Sequence, residues 1–173
     1  MELKNYIRTV PDFPKKGIMF RDITTLLKDG KAFQYAVDEL YNLCKNKKIT
    51  KVVGIESRGF ILGATLANKL GVGFVPVRKP GKLPAEKLSE TYSLEYGIDS
   101  VEIHKDAVES GDLVLMHDDL LATGGTMEAA CKLVEKLGAR VIQISFLIEL
   151  SFLKGREKLK DYEVYSLIQY DSE

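Results

Sequence analysis

The sequence predicts an α/β fold with a central, mostly parallel sheet flanked by helices, and three observations carry that prediction. Short apolar runs alternate along the 173 residues with longer stretches in which apolar side chains recur at helical spacing. Two of the helical stretches stop at a glycine, Gly71 and Gly138, the residue that most easily takes the left-handed conformation at a helix end. One apolar run passes directly into two acids, a loop of small residues and a further helix. Right-handed strand–helix–strand connections then make a mostly parallel sheet with ligands at the C-terminal ends of its strands.

The elements follow in order. Residues 31–48 set Phe33, Val37, Leu40, Tyr41 and Cys44 at helical spacing, and 52–55 is a buried strand. A second apolar helix covers 60–70, followed by a strand over 72–77. Residues 78–89 hold Lys79, Pro80, Gly81, Lys82, Pro84 and Lys87 without any period, and read as a mobile basic loop. Tyr92, Leu94 and Tyr96 alternate with polar residues, as do Val101 and Ile103, so a hairpin turns at 97–99. A strand over 112–117, a helix over 126–137 and a strand over 141–148 complete the pattern.

Composition narrows the function. Lys plus Arg number 25 against 25 Asp plus Glu, so no net basic field favours nucleic acid or an anionic membrane, and any anion site is local. No apolar stretch has the length of a signal or a spanning helix, which points to a soluble protein of the cytoplasm. Cys44 and Cys131 lack metal or redox spacing and read as reduced, packed thiols. One domain over 1–173 is expected from the length.

The chemistry concentrates in residues 113–126. Gly124 and Gly125 let the backbone turn so that several N–H groups point inward, Thr123 and Thr126 add hydroxyl donors, and the following helix N-terminus favours negative charge. A phosphate monoester fits such a loop. Asp118 and Asp119, costly at the end of a buried strand without hydrogen-bond donors, suit the two neighbouring hydroxyls of a ribose and favour positive charge at its anomeric carbon. An ordinary helix N-cap at Thr123 or Thr126 explains the threonines but not the paired acids. Neither Gly-x-x-x-x-Gly-Lys-Ser/Thr nor a Gly-x-Gly-x-x-Gly after a strand occurs, so nucleotide hydrolysis and hydride transfer lose support.

Four mostly apolar residues, two acids, two apolar residues and Ala-Thr-Gly-Gly-Thr resemble the 5-phosphoribosyl diphosphate (PRPP) signature of the type I phosphoribosyltransferases. Pro11-Asp12-Phe13-Pro14, the run 17–24, Glu56-Ser57-Arg58-Gly59-Phe60, the run 78–84, the run 92–97 and Leu153-Lys154-Gly155-Arg156-Glu157-Lys158-Leu159 extend the resemblance over nearly the whole chain, toward the adenine-using branch. The resemblance implies that fold with a small N-terminal hood, residues 1–30, over the base and a flexible loop or hairpin over pyrophosphate. It implies transfer of the phosphoribosyl group from PRPP to N9 of adenine, Mg²⁺ held mainly through PRPP with no direct protein ligand, and a homodimer. Ala122, Thr123, Gly124, Gly125 and Thr126 would hold the 5′-phosphate, and Asp118 and Asp119 the ribose hydroxyls. Ser57 and Arg58, across a cis peptide, would bind pyrophosphate with Arg78, Lys79 and Lys82. Phe20, Arg21 and Tyr96 would meet the base, and Glu95 would exchange a proton with the purine.

His117 departs from the signature, which has an apolar residue there; its ring points either into the sheet's packing or toward the site, and a structural part is favoured. His104 is expected to face solvent on the hairpin's return strand. Two alternatives remain at this point: a phosphoribosyltransferase for another base, and a PRPP-sensing regulator without turnover.

Overall fold

The computed structural model describes residues 1–94 and 97–173. After a 3-10 turn at Leu3–Tyr6, β1 (Arg8–Val10) and β2 (Phe20–Asp22) pair antiparallel, with Val10 opposite Phe20. A one-turn helix α1 (Thr24–Leu27) precedes α2 (Gly30–Asn42), which Asp29 caps by accepting from the N–H groups of Lys31 at 3.0 Å and Ala32 at 2.9 Å. Strand β3 (Lys51–Ile55), helix α3 (Gly59–Leu70) and strand β4 (Gly73–Val77) follow. Gly71 ends α3 at φ 70°, and Val72 N–H reaches back to Ala67 O at 3.0 Å.

The antiparallel hairpin of β5 (Lys87–Ser93) and β6 (Ile98–His104) forms a sheet of its own, tied to the residue after β4 by a bridge between Arg78 and Glu102. Then come β7 (Leu113–Leu121), α4 (Gly125–Lys136), β8 (Arg140–Leu150) and β9 (Val164–Tyr170). The main sheet has the order β4-β3-β7-β8-β9, and every pair in it is parallel. It is buried on both faces, as parallel sheets are. Val53, Met116, Ile144 and Phe146 pack toward α4 and the hairpin, while Val52, Leu115 and Leu147 pack toward α2, α3 and the N-terminal segment.

The structure moves several boundaries. Helix α2 ends at Asn42 rather than 48: the apolar period continues to buried Cys44, but its backbone bonds tighten, Cys44 N–H reaching Tyr41 O at 3.0 Å. Residues 87–89, expected in the loop, belong to β5, because Lys87, Leu88 and Ser89 pair with His104, Ile103 and Glu102. Strand β7 runs through both acids to Leu121, since Asp118, Leu120 and Leu121 find partners on β8. Edge strand β9 was not foreseen; five of its seven residues are half-buried, so it lacks the apolar run of an inner strand. His104 is half-buried, and its Nε2 accepts from Ala85 N–H at 3.3 Å. Both thiols are buried and free, and burial pushes Cys44 up to about 11.

Candidate active site

Strands β3, β4, β7 and β8 run in the same direction, so their C-terminal ends open on one edge. At that edge Asp118 Oδ1 accepts from Asp119 N–H at 2.8 Å, while Asp119 itself is 5% exposed. Arg58 Nε lies 2.9 Å from Asp119 Oδ2, yet the approach is off-line and leaves that oxygen without a hydrogen bond. Burial, then the neighbouring Asp119 charge, holds the Asp118 carboxyl well above the ordinary aspartate range. Burial also raises Asp119, against the opposing pull of Arg58. Two acids kept short of counter-charge and donors are arranged to receive donors from a ligand.

Beyond β7 the chain turns at Gly124, at φ 83°, and enters α4 at Gly125. Residues 122–126 line a hollow of about 80 Å³ together with Asp118, Leu120, Leu121, Met127 and Phe146. The first N–H groups of α4 have no partner within the helix, which suits an anion. The backbone of Gly155 closes the rear of this loop: a Cβ on Gly124 would come within 2.5 Å of Gly155 O, and one on Gly155 would strike Ala122 O. Neither position tolerates a side chain while this contact holds.

The Glu56–Ser57 peptide at the end of β3 is cis, and Ser57 is exposed there. Helix α3 starts so close to β7 that a Cβ on Gly59 would stand 2.7 Å from Asp118 Oδ1. Arg58, at the N-cap of α3, also donates to Arg21 O at 3.4 Å and stands 5.0 Å from the Phe20 ring centroid. It therefore joins the acid pair to the β1–β2 ribbon.

The basic residues after β4 gather on Glu56. Its carboxylate accepts from Arg78 Nη2 at 3.0 Å, Lys79 N–H at 2.8 Å and Lys82 Nζ at 2.5 Å. Burial alone would raise this acid, but Lys82, the Lys79 N–H and Arg78 together bring it down to about 2. Lys79 Nζ instead pairs with Asp99 and bonds Tyr92 Oη at 2.8 Å. The Arg78 and Lys82 cations are thus collected on Glu56, next in the chain to Ser57 and Arg58, while the Lys79 cation is held by Asp99.

The ribbon offers two hollows. Phe20 lines one of about 450 Å³ with Arg8, Val10, Phe13, Asp22, Thr24 and Arg58. Arg21 lines the other, about 270 Å³, whose walls include Ile18, Met19, Ala122, Leu150, Phe152 and Leu153. Ala122 is shared between this second hollow and the phosphate-sized one. The guanidinium of Arg21 is buried, 3.9 Å from the Tyr170 ring centroid, and Nη1 donates to Thr9 Oγ1. Residue-by-residue reading missed Met19, Phe152 and Leu153 as walls and Glu56 as the anion of the basic cluster; Met19, Leu153 and Glu56 fall in runs that carry the family resemblance, but none had a chemical signal of its own.

His117 is fully buried, its Nδ1 3.0 Å from Ser145 Oγ, and its ring packs toward Gly63 of α3 rather than into the ligand edge. Burial lowers it to about 4, so the ring is neutral at physiological pH. Glu95 and Tyr96 lie outside the described residues.

A strand ending in paired acids, a glycine turn at a helix N-terminus and a five-stranded parallel sheet define a phosphoribosyltransferase, and residues 24–172 match the family model of the phosphoribosyl transferase domain. An adenine phosphoribosyltransferase of Geobacter metallireducens is 60% identical over 98% of this chain and 99% of its own length. The crystal structure of adenine phosphoribosyltransferase from Thermoanaerobacter pseudethanolicus superposes with a TM-score of 0.96 at 59% identity, covering 98% of each chain. The Giardia lamblia APRTase complexed with 9-deazaadenine gives a TM-score of 0.93 at 44% identity over 98% of this chain and 97% of that one. The chain belongs to the adenine phosphoribosyltransferase family.

Proposed function

We propose that this site transfers the 5-phosphoribosyl group of PRPP to N9 of adenine, giving AMP and pyrophosphate. The observation that carries the reading is the shared Ala122: the hollow inside the glycine loop and the apolar hollow under Arg21 meet at this one residue. With a phosphate in the first and a planar base in the second, the sugar would lie against the acid pair, of which Asp118 lines the first hollow.

In this reading the N–H groups and hydroxyls of residues 122–126 hold the 5′-phosphate. Asp118 and Asp119 accept the ribose hydroxyls, which supply the donors that Asp119 Oδ2 lacks and favour the ionised carboxylates that burial alone disfavours; that charge favours an oxocarbenium-like sugar. The C1′–O bond to pyrophosphate breaks, N9 bonds to C1′, and the N9 proton leaves for a base, for which we propose Glu95. Arg78, Lys79 and Lys82 exchange Glu56 and Asp99 for the leaving pyrophosphate, beside Ser57 and Arg58. Phe20, Arg21 and Tyr96 are proposed at the base, with Arg58 packed 5.0 Å from the Phe20 ring centroid. Transfer then rests on positioning and electrostatics.

The donor set fits Mg²⁺ brought in by the substrate. We propose that the ion is held mainly through PRPP oxygens, while Asp118 and Asp119 accept the ribose hydroxyls of the same substrate. When bound it would neutralise charge on the pyrophosphate. A cytoplasmic homodimer of one domain, with residues 1–30 as hood, completes the proposal. Among the described residues no helix is long and apolar enough to cross a membrane, and the dimer rests on kinship with the family.

The test is AMP formation from PRPP with adenine, hypoxanthine or guanine in the presence of Mg²⁺. Turnover with adenine alone is expected. Turnover with another base would overturn the base assignment, and PRPP binding without product would make the protein a sensor.

A further inference from the structure

Glu149, at the end of β8, is 4% exposed and holds Arg156 through two bonds, Nε to Oε1 and Nη2 to Oε2, both 2.7 Å. Arg156 Nη1 also donates to Val164 O at 2.8 Å, and Ser166 Oγ donates to Glu149 Oε2 at 2.6 Å, so β9 braces the pair. Burial works against this carboxylate, but Arg156 and Ser166 keep it below the ordinary glutamate range. Glu149 is buried but the Arg156 side chain is partly exposed, so the pair contributes little net stability relative to apolar side chains of the same size. Its two-pronged geometry does fix direction, which a greasy contact does not.

What lies between the two residues gives that direction a use. Residues 150–155, from the last residue of β8 onward, lie between Glu149 and Arg156, so the ion pair ties the two ends of this loop. The loop's first part supplies Leu150, Phe152 and Leu153 to the apolar hollow. Its last residue, Gly155, is the backbone against which Ala122 and Gly124 rest. Lys154 between them takes φ 54°, turning the chain from one wall to the other. One short loop thus touches the base hollow on one side and the phosphate loop on the other.

We propose that Glu149 and Arg156 are positioning residues that set the base hollow and the phosphate loop in register with each other, so that adenine and PRPP bind at the separation the reaction needs. The proposal rests on the base assignment made above. Neither side chain lines either hollow, so their influence passes through residues 150–155.

The expected signature is a joint loss. Arg156→Lys keeps the charge but not the fork; both KM values, for adenine and for PRPP, should rise roughly tenfold, because a small misplacement is felt at both subsites. Glu149→Leu/Arg156→Met replaces the pair by apolar side chains, and should melt within a few degrees of the wild type while keeping both KM values raised. A purely structural pair would instead lower the melting temperature of Arg156→Lys, and the apolar pair would restore both KM values. Folded variants with both KM values within twofold of the wild type, or with only one of them changed, would overturn the proposal. Wild-type protein that makes no AMP from adenine would overturn the base assignment instead, so the two failures are distinguishable.

Discussion

The two hollows that meet at Ala122 are built in opposite ways. The phosphate side is, apart from Phe146 of β8, one continuous stretch, β7 through the first turn of α4, in which chain neighbours are also neighbours in space. The base side is gathered from four separated pieces: residues 18–21 ahead of and within β2, Ala122, residues 150–153 at and after the end of β8, and Glu173. A local site keeps most of its shape through its own backbone, and here its outside support is the Gly155 backbone behind Ala122 and Gly124. A gathered site depends on whatever holds its pieces in register, and can be lost from a distance.

The largest effect expected from this contrast is at the local site. Asp119→Asn should reduce kcat/KM for PRPP on the order of a thousandfold, by removing charge where the transition state develops it, with little change in melting temperature; steady-state kinetics beside a thermal melt would show it. A loss shared equally with folding would mean that Asp119 serves the sheet instead.

His117 sharpens the contrast from beneath β7. Its folded value of about 4 lies below the ordinary 6.5, so the unfolded chain takes up the proton first, and stability should fall as pH drops from 6.5 toward 4. The loss amounts to about 3 kcal/mol for one group shifted this far. The raised Asp118 and Asp119 act with the opposite sign, so the measurement is a comparison of urea unfolding between wild type and His117→Val across that window. The difference between the two curves should grow as pH falls; a constant difference would remove His117 from the acid response.

At the gathered site, Leu153→Ala should raise the KM for adenine about tenfold by opening one wall, in keeping with a buried apolar contact of one to two kcal/mol, and leave the KM for PRPP unchanged. Parallel titrations of the two substrates would decide it, and equal changes would show the two hollows to be one. The smallest effect is expected from Glu56→Gln, which removes the anion around which the basic cluster collects. Pyrophosphate should then bind a few-fold tighter, within the range of partly exposed ion pairs, as read by product inhibition; weaker binding would show that Glu56 orients the cluster.

The same contrast explains what could be read from the amino-acid order. The order of β3, α3, β4 and β7, the helix stop at Gly71 and the loop of residues 122–126 were legible because each is set by neighbours along the chain. The paired acids were legible as chemistry because carboxylates at the end of a buried strand demand a partner. Met19, Phe152 and Leu153 were not, since an apolar side chain lining a hollow has the same local pattern as one filling a core. Glu56 was hidden for another reason. Its meaning comes from Arg78 and Lys82, more than twenty residues away, and no spacing rule relates them. Strand β9 failed as a prediction because an edge strand with one face half wet mixes polar and apolar residues without a clean period.

The carboxylate of Glu56 also changes how ionic strength should act on this protein. Cations left bare at a cleft draw their substrate through a long-range field that salt screens. Here Arg78 and Lys82 already share a negative neighbour, so an incoming diphosphate swaps places with a built-in counterion and little net charge is neutralised. Capture should therefore depend on the substrate's own concentration far more than on the salinity around it.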